Sequence, residues 1–357
     1  MTSDTAADHS SQGESAWTKR LMPYRKPSIG RSAFEVLITA APFVGLWIAT
    51  WLSVAHGVYW GLVLTIPAAA FLLRLFMIQH DCGHGAFFGR RRLDDWLGRV
   101  LGVFTLTPYD CWRKTHAIHH ASSGNLDARG IGDVHTLTLR EYTAMGRWGR
   151  TSYWLYRHPL VMFGLGPLYI FVLQQRLPFG VMRGGPLPWI SAAATNLAIG
   201  FVVLGMSWAV GVLPFLLIQL PIVAMAATAG VWLFYVQHQF EHTHWSIKPD
   251  WRFENAALHG SSFYNLPKPL HWMTANIGVH HVHHLSSRVP YYRLPEVLMD
   301  FPELTQIGRI SFFESLRGVK LVLWDEQQRR LISFQEARAL GEALSKRVIG
   351  RQNRDVA

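Results

Sequence analysis

The sequence predicts an all-α integral membrane protein, in which four transmembrane helices form two hairpins and a cytoplasmic helical cap carries a metal site. Three observations predict this fold class. Four stretches are apolar over about 20 residues, the length that crosses a bilayer. Histidines recur in short clusters at helical spacing. Basic residues gather on one side of the predicted spans, which the positive-inside rule assigns to the cytoplasm.

Composition supports a membrane setting. Only 16% of the 357 residues are charged, below the roughly 25% usual for soluble domains. The 15 tryptophans suit a membrane interface, where this residue is enriched. The net charge of +11 is better explained by anionic lipid headgroups than by nucleic acid, so the expected partner is the lipid bilayer and no nucleic acid. The two cysteines, Cys82 and Cys111, form no CxxC pair, which argues against a disulfide scaffold.

The predicted spans are about 33–55, 58–79, 190–210 and 212–236, and very short turns join them in pairs. Glu35 and Arg74 lie near the ends of spans, where we expect their side chains to reach the headgroups. The apolar run Leu160–Leu173 is too short for a confident span, and we interpret it as an interfacial or re-entrant helix.

Orientation follows from the basic residues, which precede the first span and follow the second, while the two turns carry none. Both termini and the segment 80–189 are therefore expected in the cytoplasm. The predicted organisation is an N-terminal cytoplasmic segment over 1–32, disordered at residues 1–16, a membrane domain over 33–330, and a cytoplasmic tail over 331–357. The polar start of the chain predicts no cleaved signal peptide.

Three histidine clusters fall on this cytoplasmic side. Residues three and four apart share one face of a helix, so each cluster presents a row of imidazoles. Three rows offer more nitrogen ligands than one ion needs, which favours two metal ions. The clusters are His80 with His84, then His116, His119 and His120, then His280, His283 and His284.

A fourth histidine patch follows the last span and contains His238, His242 and His244. By its position after a hairpin, His238 mirrors His80 and could add a further ligand. Histidines at helix ends are also common as surface or capping residues, so both interpretations stay open for this patch. Cys82 lies inside the first cluster, where it could be a ligand, although a small buried residue is the simpler interpretation.

Imidazole nitrogen suits zinc, copper, iron and nickel, and carboxylates are sparse near the clusters. Two irons held mainly by neutral nitrogens can reduce dioxygen and remove hydrogen from an unactivated C–H bond. A lipid chain as substrate would explain the membrane setting. Asp110, Asp127 and Asp133 are candidates to orient the histidines by accepting their other N–H, although ordinary loop roles are open to each.

The patterns H-x3-H, H-x2-H-H and H-x2-H-H, in this order and topology, resemble the histidine boxes of membrane fatty acid desaturases. The stretch from His80 to Phe88, HDCGHGAFF, is similar to the first box of the subgroup that acts at the Δ12 (omega-6) or omega-3 position. The segments VQHQFE at 236–241 and PYYRLPE at 290–296 also resemble bacterial members. The resemblance covers roughly residues 35–330.

The resemblance implies an acyl-lipid desaturase that uses two iron ions, dioxygen and two electrons to insert a cis double bond, at Δ12/omega-6, into a fatty acyl chain. It implies a bacterial inner membrane and, since no fused cytochrome b5 domain is recognisable, ferredoxin as a separate electron donor. His281 is extra to the pattern and is expected not to bind metal. The implied iron ligands are His80, His84, His116, His119, His120, His238, His280, His283 and His284.

One departure from the bacterial relatives matters, because His242 and His244 follow Glu241 where those relatives carry an acid and an aromatic residue. Two other functions remain open. A hydroxylase or ketolase of the same histidine-box type, acting on a fatty acyl chain or a carotenoid, would share the ligand spacing. A metal transporter is a different class, but transporter sites lie near the bilayer midplane rather than at the membrane surface.

Overall fold

The computed structural model of the chain describes residues 17–178, 180 and 184–341. Within these ranges, the helices long and apolar enough to cross a membrane are Ile29–Ala55, Tyr59–His84, Pro186–Val210 and Val212–His238. They coincide with the four predicted spans, which confirms that part of the fold class. The segments 1–16 and 342–357, which include the predicted disordered start and most of the predicted tail, lie outside the described residues.

The fold is mostly helical. The helices, in chain order, are α1 (Ile29–Ala55), α2 (Thr65–His84), α3 (Arg91–Phe104), α4 (Tyr109–Ser122), α5 (Leu139–Ala144), α6 (Arg147–Arg157), α7 (Pro186–Val210), α8 (Val212–His238), α9 (Phe253–His259), α10 (Lys268–Met273), α11 (His280–Leu285), α12 (Leu294–Asp300) and α13 (Phe312–Gly318). Short 3-10 turns at Met22–Arg25, Tyr59–Leu64, Gln174–Arg176, Tyr291–Arg293 and Pro302–Gln306 connect them.

The run expected to be an interfacial or re-entrant helix is helical in the structure. It comprises Val161–Leu165 and Tyr169–Leu173 with π-type hydrogen bonding, separated by the α-helical turn Gly166–Leu168. We refer to residues 161–173 as the π segment. Its side chains Leu165, Tyr169 and Leu173 are exposed, whereas Met162 is buried against the rest of the protein.

The expectation of an all-α chain is wrong in one respect, because two small sheets are present. Strands β1 (Leu137–Thr138), β4 (Leu323–Asp325) and β5 (Arg330–Ile332) form one sheet, in which β4 pairs parallel with β1 and antiparallel with β5. Strands β2 (Phe263–Tyr264) and β3 (Arg309–Ile310) form a parallel pair. Strands of two or three residues are too short to show a period-2 hydrophobic pattern. The domain boundary expected at residue 330 falls inside β5.

The core lies around α2, which packs against α1, α3 and α8. Fully buried apolar side chains at this centre include Ile78 of α2 and Ile218 and Ile222 of α8. The outer face of α7 is apolar and exposed, with Phe201, Leu204 and Trp208 among its side chains. A helix that is apolar on its exposed face is typical of a membrane span.

Two charged residues of the first two spans pair with each other, which corrects the expectation that they reach the headgroups. Glu35 on α1 and Arg74 on α2 are each only 1% exposed, and Arg74 Nη2 lies 2.5 Å from Glu35 Oε2. The same carboxylate oxygen accepts a hydrogen bond from the Tyr291 hydroxyl at 3.0 Å, and Arg74 Nε donates to the Thr39 hydroxyl at 3.1 Å. Both groups lie on the faces where α1 and α2 meet, out of reach of water. The ion pair therefore takes the place of hydration for both charges.

We expect replacement of one member of this pair to be strongly destabilising. Arg74→Met leaves the Glu35 carboxylate buried without its cation, a change that typically costs about 3–5 kcal/mol. Thermal unfolding of the purified protein in detergent, followed by intrinsic fluorescence, measures the effect. Arg31→Ala is the matched control, because Arg31 also contacts Glu35 but its side chain is 51% exposed. We expect it to cost less than about 1 kcal/mol. Equal destabilisation by the two variants would contradict the assignment.

Candidate metal centre

The first two histidines lie on the last turns of α2, which continues past the span end expected at Gln79. His80 and His84 are one turn apart on this helix. The helix ends at Gly85, whose φ of +67° is left-handed. The backbone N–H of Gly85 donates to the Cys82 carbonyl and that of Ala86 to the Asp81 carbonyl, which is the Schellman arrangement that glycine favours. This termination keeps both imidazoles on regular helix.

Three further helices supply the remaining predicted ligands. His116, His119 and His120 lie on the C-terminal half of α4, and His238 is the last residue of α8. The short helix α11 carries the third cluster. Ligands at the ends of α2 and α8 are thereby brought against ligands from two segments that are distant in sequence.

The nine predicted histidines gather in two groups rather than in three boxes. Within each group, the candidate ligand atoms all lie within 4.8 Å of one another. Helices α4 and α11 each contribute histidines to both groups, because adjacent residues on a helix point about 100° apart. The five-histidine cluster is His80, His84, His116, His120 and His283, and the four-histidine cluster is His119, His238, His280 and His284.

The Nε2 atoms converge inside each cluster. In the five-histidine cluster, His116 Nε2 lies 3.0 Å from that of His84 and 3.1 Å from that of His120. In the four-histidine cluster, His280 Nε2 lies 3.0 Å from that of His238 and 3.1 Å from that of His284. Two imidazole nitrogens that each bind a metal at about 2.1 Å and at right angles are about 3.0 Å apart. The spacing therefore fits nitrogen donors around a common ion.

An orphaned nitrogen supports the same conclusion. His119 Nδ1 donates to the Asp133 carboxylate, which leaves Nε2 with a free lone pair inside the four-histidine cluster. This buried Nε2 has no hydrogen-bond partner among the described residues. A buried polar atom without a partner is costly, and a metal ion at the centre of the cluster would satisfy it.

The electrostatics favour the form of histidine that binds metal. Burial, followed by the neighbouring imidazoles, holds the pKa of five of the cluster histidines well below the usual value. These imidazoles are therefore neutral at physiological pH and present lone pairs without competition from protons. The five are His116, His120, His280, His283 and His284.

Two carboxylates orient cluster histidines. Asp133, one of the three acids singled out in the sequence, contacts His119. Asp81 was not predicted to do so, but its Oδ1 lies 3.3 Å from His80 Nδ1 and its Oδ2 accepts from the Tyr291 backbone N–H at 2.7 Å. A carboxylate on the second ring nitrogen fixes the tautomer and the ring orientation of a metal-binding histidine.

The other two acids have different roles. Asp110 binds the guanidinium of Arg99 through both oxygens, at 3.0 and 3.2 Å. Asp127 accepts from the backbone N–H of Lys248 at 2.7 Å. Neither contacts a cluster histidine among the described residues, so these two carboxylates hold loops and helices together.

The ambiguous histidines lie outside the two clusters. His281 Nε2 donates to the Leu304 carbonyl at 2.9 Å, as suits a histidine that binds no metal. His242 is exposed, and His244 Nε2 lies 3.3 Å from the Ser246 hydroxyl. Cys82 is completely buried among apolar side chains, in agreement with the simpler interpretation.

One aromatic residue of the site, Trp112, is not among the residues predicted from the sequence. The Trp112 ring stacks on the His116 ring, with centroids 4.5 Å apart and an interplanar angle of 17°. The same indole packs so closely on Gly83 that a Cβ there would lie 2.8 Å from it. The spacing of four residues between Trp112 and His116 on α4 could have indicated the contact.

A cavity of about 460 Å³ reaches the histidines from between α2 and α8. Its lining includes His80 and His116, a few other polar side chains such as Gln174, and a majority of apolar side chains such as Leu73 and Val223. The α8 residues that line it run from Val223 to Gln237, which corresponds to about 21 Å along the helix axis. A long, mostly apolar cavity of this kind suits a chain-like apolar ligand.

Comparison with known proteins agrees with this arrangement. A family model described as fatty acid desaturase matches residues 57–309. A fatty acid desaturase of Bacillus subtilis (strain 168) is 41% identical over 334 residues, which cover 94% of this chain and 93% of that protein. The match to an sn-1 acyl-lipid omega-3 desaturase (ferredoxin) of Synechocystis sp. is 32% identical and covers 62% of this chain and 61% of that protein. A protein of the same description from Nostoc sp. (strain 36) is 26% identical over 75% of this chain and 74% of its own length.

The contact between Asp133 and His119 predicts a selective loss of metal affinity. Asp133→Asn keeps the size of the side chain but removes the negative charge, and we expect about 10–100-fold weaker binding of one ferrous ion. Titration with a competing chelator measures this loss. Asp127→Asn is the matched control, because Asp127 binds the Lys248 backbone instead and should leave affinity unchanged. Equal weakening by both variants would show that Asp133 has no specific role.

Proposed function

We propose that this chain, which belongs to the membrane fatty acid desaturase family, inserts a cis double bond into a fatty acyl chain by use of dioxygen, two electrons and two iron ions. The observation that carries the proposal is the meeting of two histidine clusters with a long, mostly apolar cavity. The family match supports an oxidoreductase of the desaturase type. The nine clustered histidines would hold the irons.

The reaction consumes one dioxygen, two electrons and two protons, converts a CH2–CH2 unit to CH=CH, and releases two waters. When bound, a pair of irons supplies the reduction of dioxygen and the removal of hydrogen. The residues of the chain position the substrate. Trp112 and Phe76, packed edge to face at 5.5 Å, line the cavity beside His80 and His116. They would hold a methylene group near the histidines and keep water away from it.

The irons need orienting carboxylates as well as ligands. Asp133 would hold His119 in the tautomer that leaves Nε2 free for metal, and Asp81 would do the same for His80. Each cluster thus has one carboxylate behind it. Breaking either contact should loosen one ion more than the other.

We place the double bond at Δ12/omega-6, on the support of the first histidine box, HDCGHGAFF over residues 80–88. The relatives from Synechocystis and Nostoc are described as omega-3 desaturases and are 32% and 26% identical. A hydroxylase or ketolase would use the same ligands, and the lipid products distinguish the two. A transporter is disfavoured by the family match and by histidines that lie at the ends of α2 and α8 rather than at their middles.

The proposed setting is a bacterial inner membrane with both termini and the metal centre on the cytoplasmic side. The support is the distribution of Lys and Arg around the spans. Ferredoxin is the proposed electron donor, supported by the relatives whose descriptions include it. An acyl chain carried by a membrane lipid is the proposed substrate, with the bilayer as its reservoir.

The two clusters predict two irons per chain. Protein expressed with iron available and purified in detergent should contain about two irons by elemental analysis. His283→Ala and His284→Ala each remove a ligand from a different cluster and should each lower the content toward one. His281→Ala is the control, since this ring binds the Leu304 carbonyl instead. One iron in the unaltered chain, or stoichiometric zinc, would overturn the di-iron assignment.

Expression in a host whose lipids are only monounsaturated should yield a diunsaturated fatty acid. Gas chromatography with mass spectrometry of the total lipids, with ferredoxin co-expressed, identifies the product and the position of its double bond. A His120→Ala variant serves as the inactive control. A hydroxy acid in place of the diunsaturated product would establish a hydroxylase, and a double bond at another position would correct the regiochemistry.

A further inference from the structure

Helix α3 carries an apolar stripe that nothing in the described structure covers. Leu93, Trp96, Val100 and Phe104 are 41–67% exposed and recur at spacings of three and four, so they share one side of the helix. We call these four residues the α3 stripe. An uncovered row of large apolar side chains indicates contact with lipid or with another molecule.

The other faces of α3 show which contact the stripe makes. Arg92 is exposed and Arg99 is half-buried, and at 100° per residue both lie beside Trp96, on the side away from Leu93 and Val100. The Arg99 guanidinium lies 5.6 Å from the Trp96 ring. Around the circumference of α3, the side chains change from cationic to indole to aliphatic. This order is expected where lipid headgroups meet acyl chains. The stripe therefore suits a lipid surface.

Both ends of α3 lie beside the last two turns of α2. At the start of α3, Arg91 Nη1 lies 3.4 Å from the Gly83 carbonyl. Just after its end, the Thr105 hydroxyl donates to Gln79 Oε1 at 2.6 Å. Gln79 lies five residues before His84 on α2, about 7 Å deeper along the axis. Phe104, the residue before Thr105, thus lies near the level of Gln79 and His80, where the apolar part of α2 ends.

At this depth the cavity opens to the surface. Phe104 and Gln174 both line the cavity and are both exposed, which marks a mouth between α3 and the end of the π segment. A second mouth lies at Gly132 and Tyr156, which also line the cavity and are exposed. A substrate therefore has two possible routes to the histidines.

Arg176 fixes the first mouth. Its guanidinium donates to the carbonyl of Leu106, just after α3, and to Asn196 Oδ1 of α7 at 2.9 Å. The residue thus ties the chain after the π segment to the chain after α3 and to a spanning helix. Leu106 itself has φ +56°, a conformation that is costly for a branched residue. These contacts fix the position of the segment that forms one side of the mouth.

We propose that the α3 stripe lies in the lipid and that the acyl chain of a membrane phospholipid enters the cavity sideways, between Phe104 and Gln174. This inference rests on the proposed function and names its route of substrate entry. The chain slides from the bilayer past Phe104 to the histidines, while the headgroup stays at the membrane surface on the side of Arg92. The substrate then does not pass through the second mouth, at Gly132 and Tyr156.

The test uses phosphatidylglycerol with a diazirine at the end of one acyl chain, mixed into nanodiscs that contain the full-length protein. Samples are illuminated briefly at increasing times after mixing and analysed by peptide mass spectrometry. This gives the rate at which cavity peptides containing Leu73 or Val223 become labelled. We expect Phe104→Trp and Gln174→Trp to slow this labelling about tenfold. Val100→Trp is the matched control, because it lies on the same stripe but does not line the cavity, and should leave the rate unchanged.

Other results would overturn the proposal. Slower labelling in Tyr156→Trp, with normal rates in Phe104→Trp and Gln174→Trp, would place the entrance at the second mouth. Labelling by a soluble acyl thioester with the same diazirine, and not by the phospholipid, would make the substrate enter from water. Cavity labelling without any new fatty acid in the lipid analysis would leave the entrance standing and refute the proposed function, so the two failures are distinguishable.

A second measurement tests the lipid contact of the stripe independently of entry. Both native cysteines are buried, so a nitroxide can be attached selectively at Val100→Cys or Arg92→Cys in nanodiscs. Collision with oxygen should dominate at position 100 and collision with a water-soluble nickel chelate at position 92. Equal exposure to the nickel chelate at both positions would show that the α3 stripe lies in water.

Discussion

The structure depends on the convergence of nine imidazoles on two points at the ends of α2 and α8. Burying that many polar nitrogens is unfavourable unless each has a partner. Asp133 and Asp81 satisfy some second ring nitrogens, and the Nε2 atoms are left facing one another at about 3 Å. The arrangement fits a cation in each cluster, for which the surrounding protein holds neutral donors in place.

The two central helices serve the membrane and the metal centre at once. α2 spans the apolar region and ends in His80 and His84, and α8 ends in His238. The position of α2 relative to α1 is set partly by the buried pair of Glu35 and Arg74. Tyr291 connects that pair to the site, because its hydroxyl binds Glu35 while its backbone N–H binds Asp81 behind His80. The membrane packing and the orientation of a candidate ligand are therefore linked through three residues.

The cavity supports the proposed substrate class. It extends from the histidines along α2 and α8, so it would bring an acyl chain to the proposed metal centre through a mostly apolar environment. An entrance between Phe104 and Gln174 would let that chain come directly from the bilayer, which avoids the cost of exposing it to water. Membership of the fatty acid desaturase family agrees with this chemistry, and the 41% identity to the Bacillus subtilis relative extends over nearly the whole chain.

The sequence by itself determined the four spans, the nine clustered histidines and the family, because length, hydropathy and helical spacing are local properties. His238 could be singled out because it follows the fourth predicted span as His80 follows the second. Only the tertiary structure decided how the three boxes divide into two clusters, since that depends on how α4 and α11 are rotated against α2 and α8. It also decided that Glu35 pairs with Arg74, that Asp133 rather than Asp110 or Asp127 orients a histidine, and that short strands join distant loops. These contacts join residues far apart in the chain, where no periodicity records them, so packing alone fixes them.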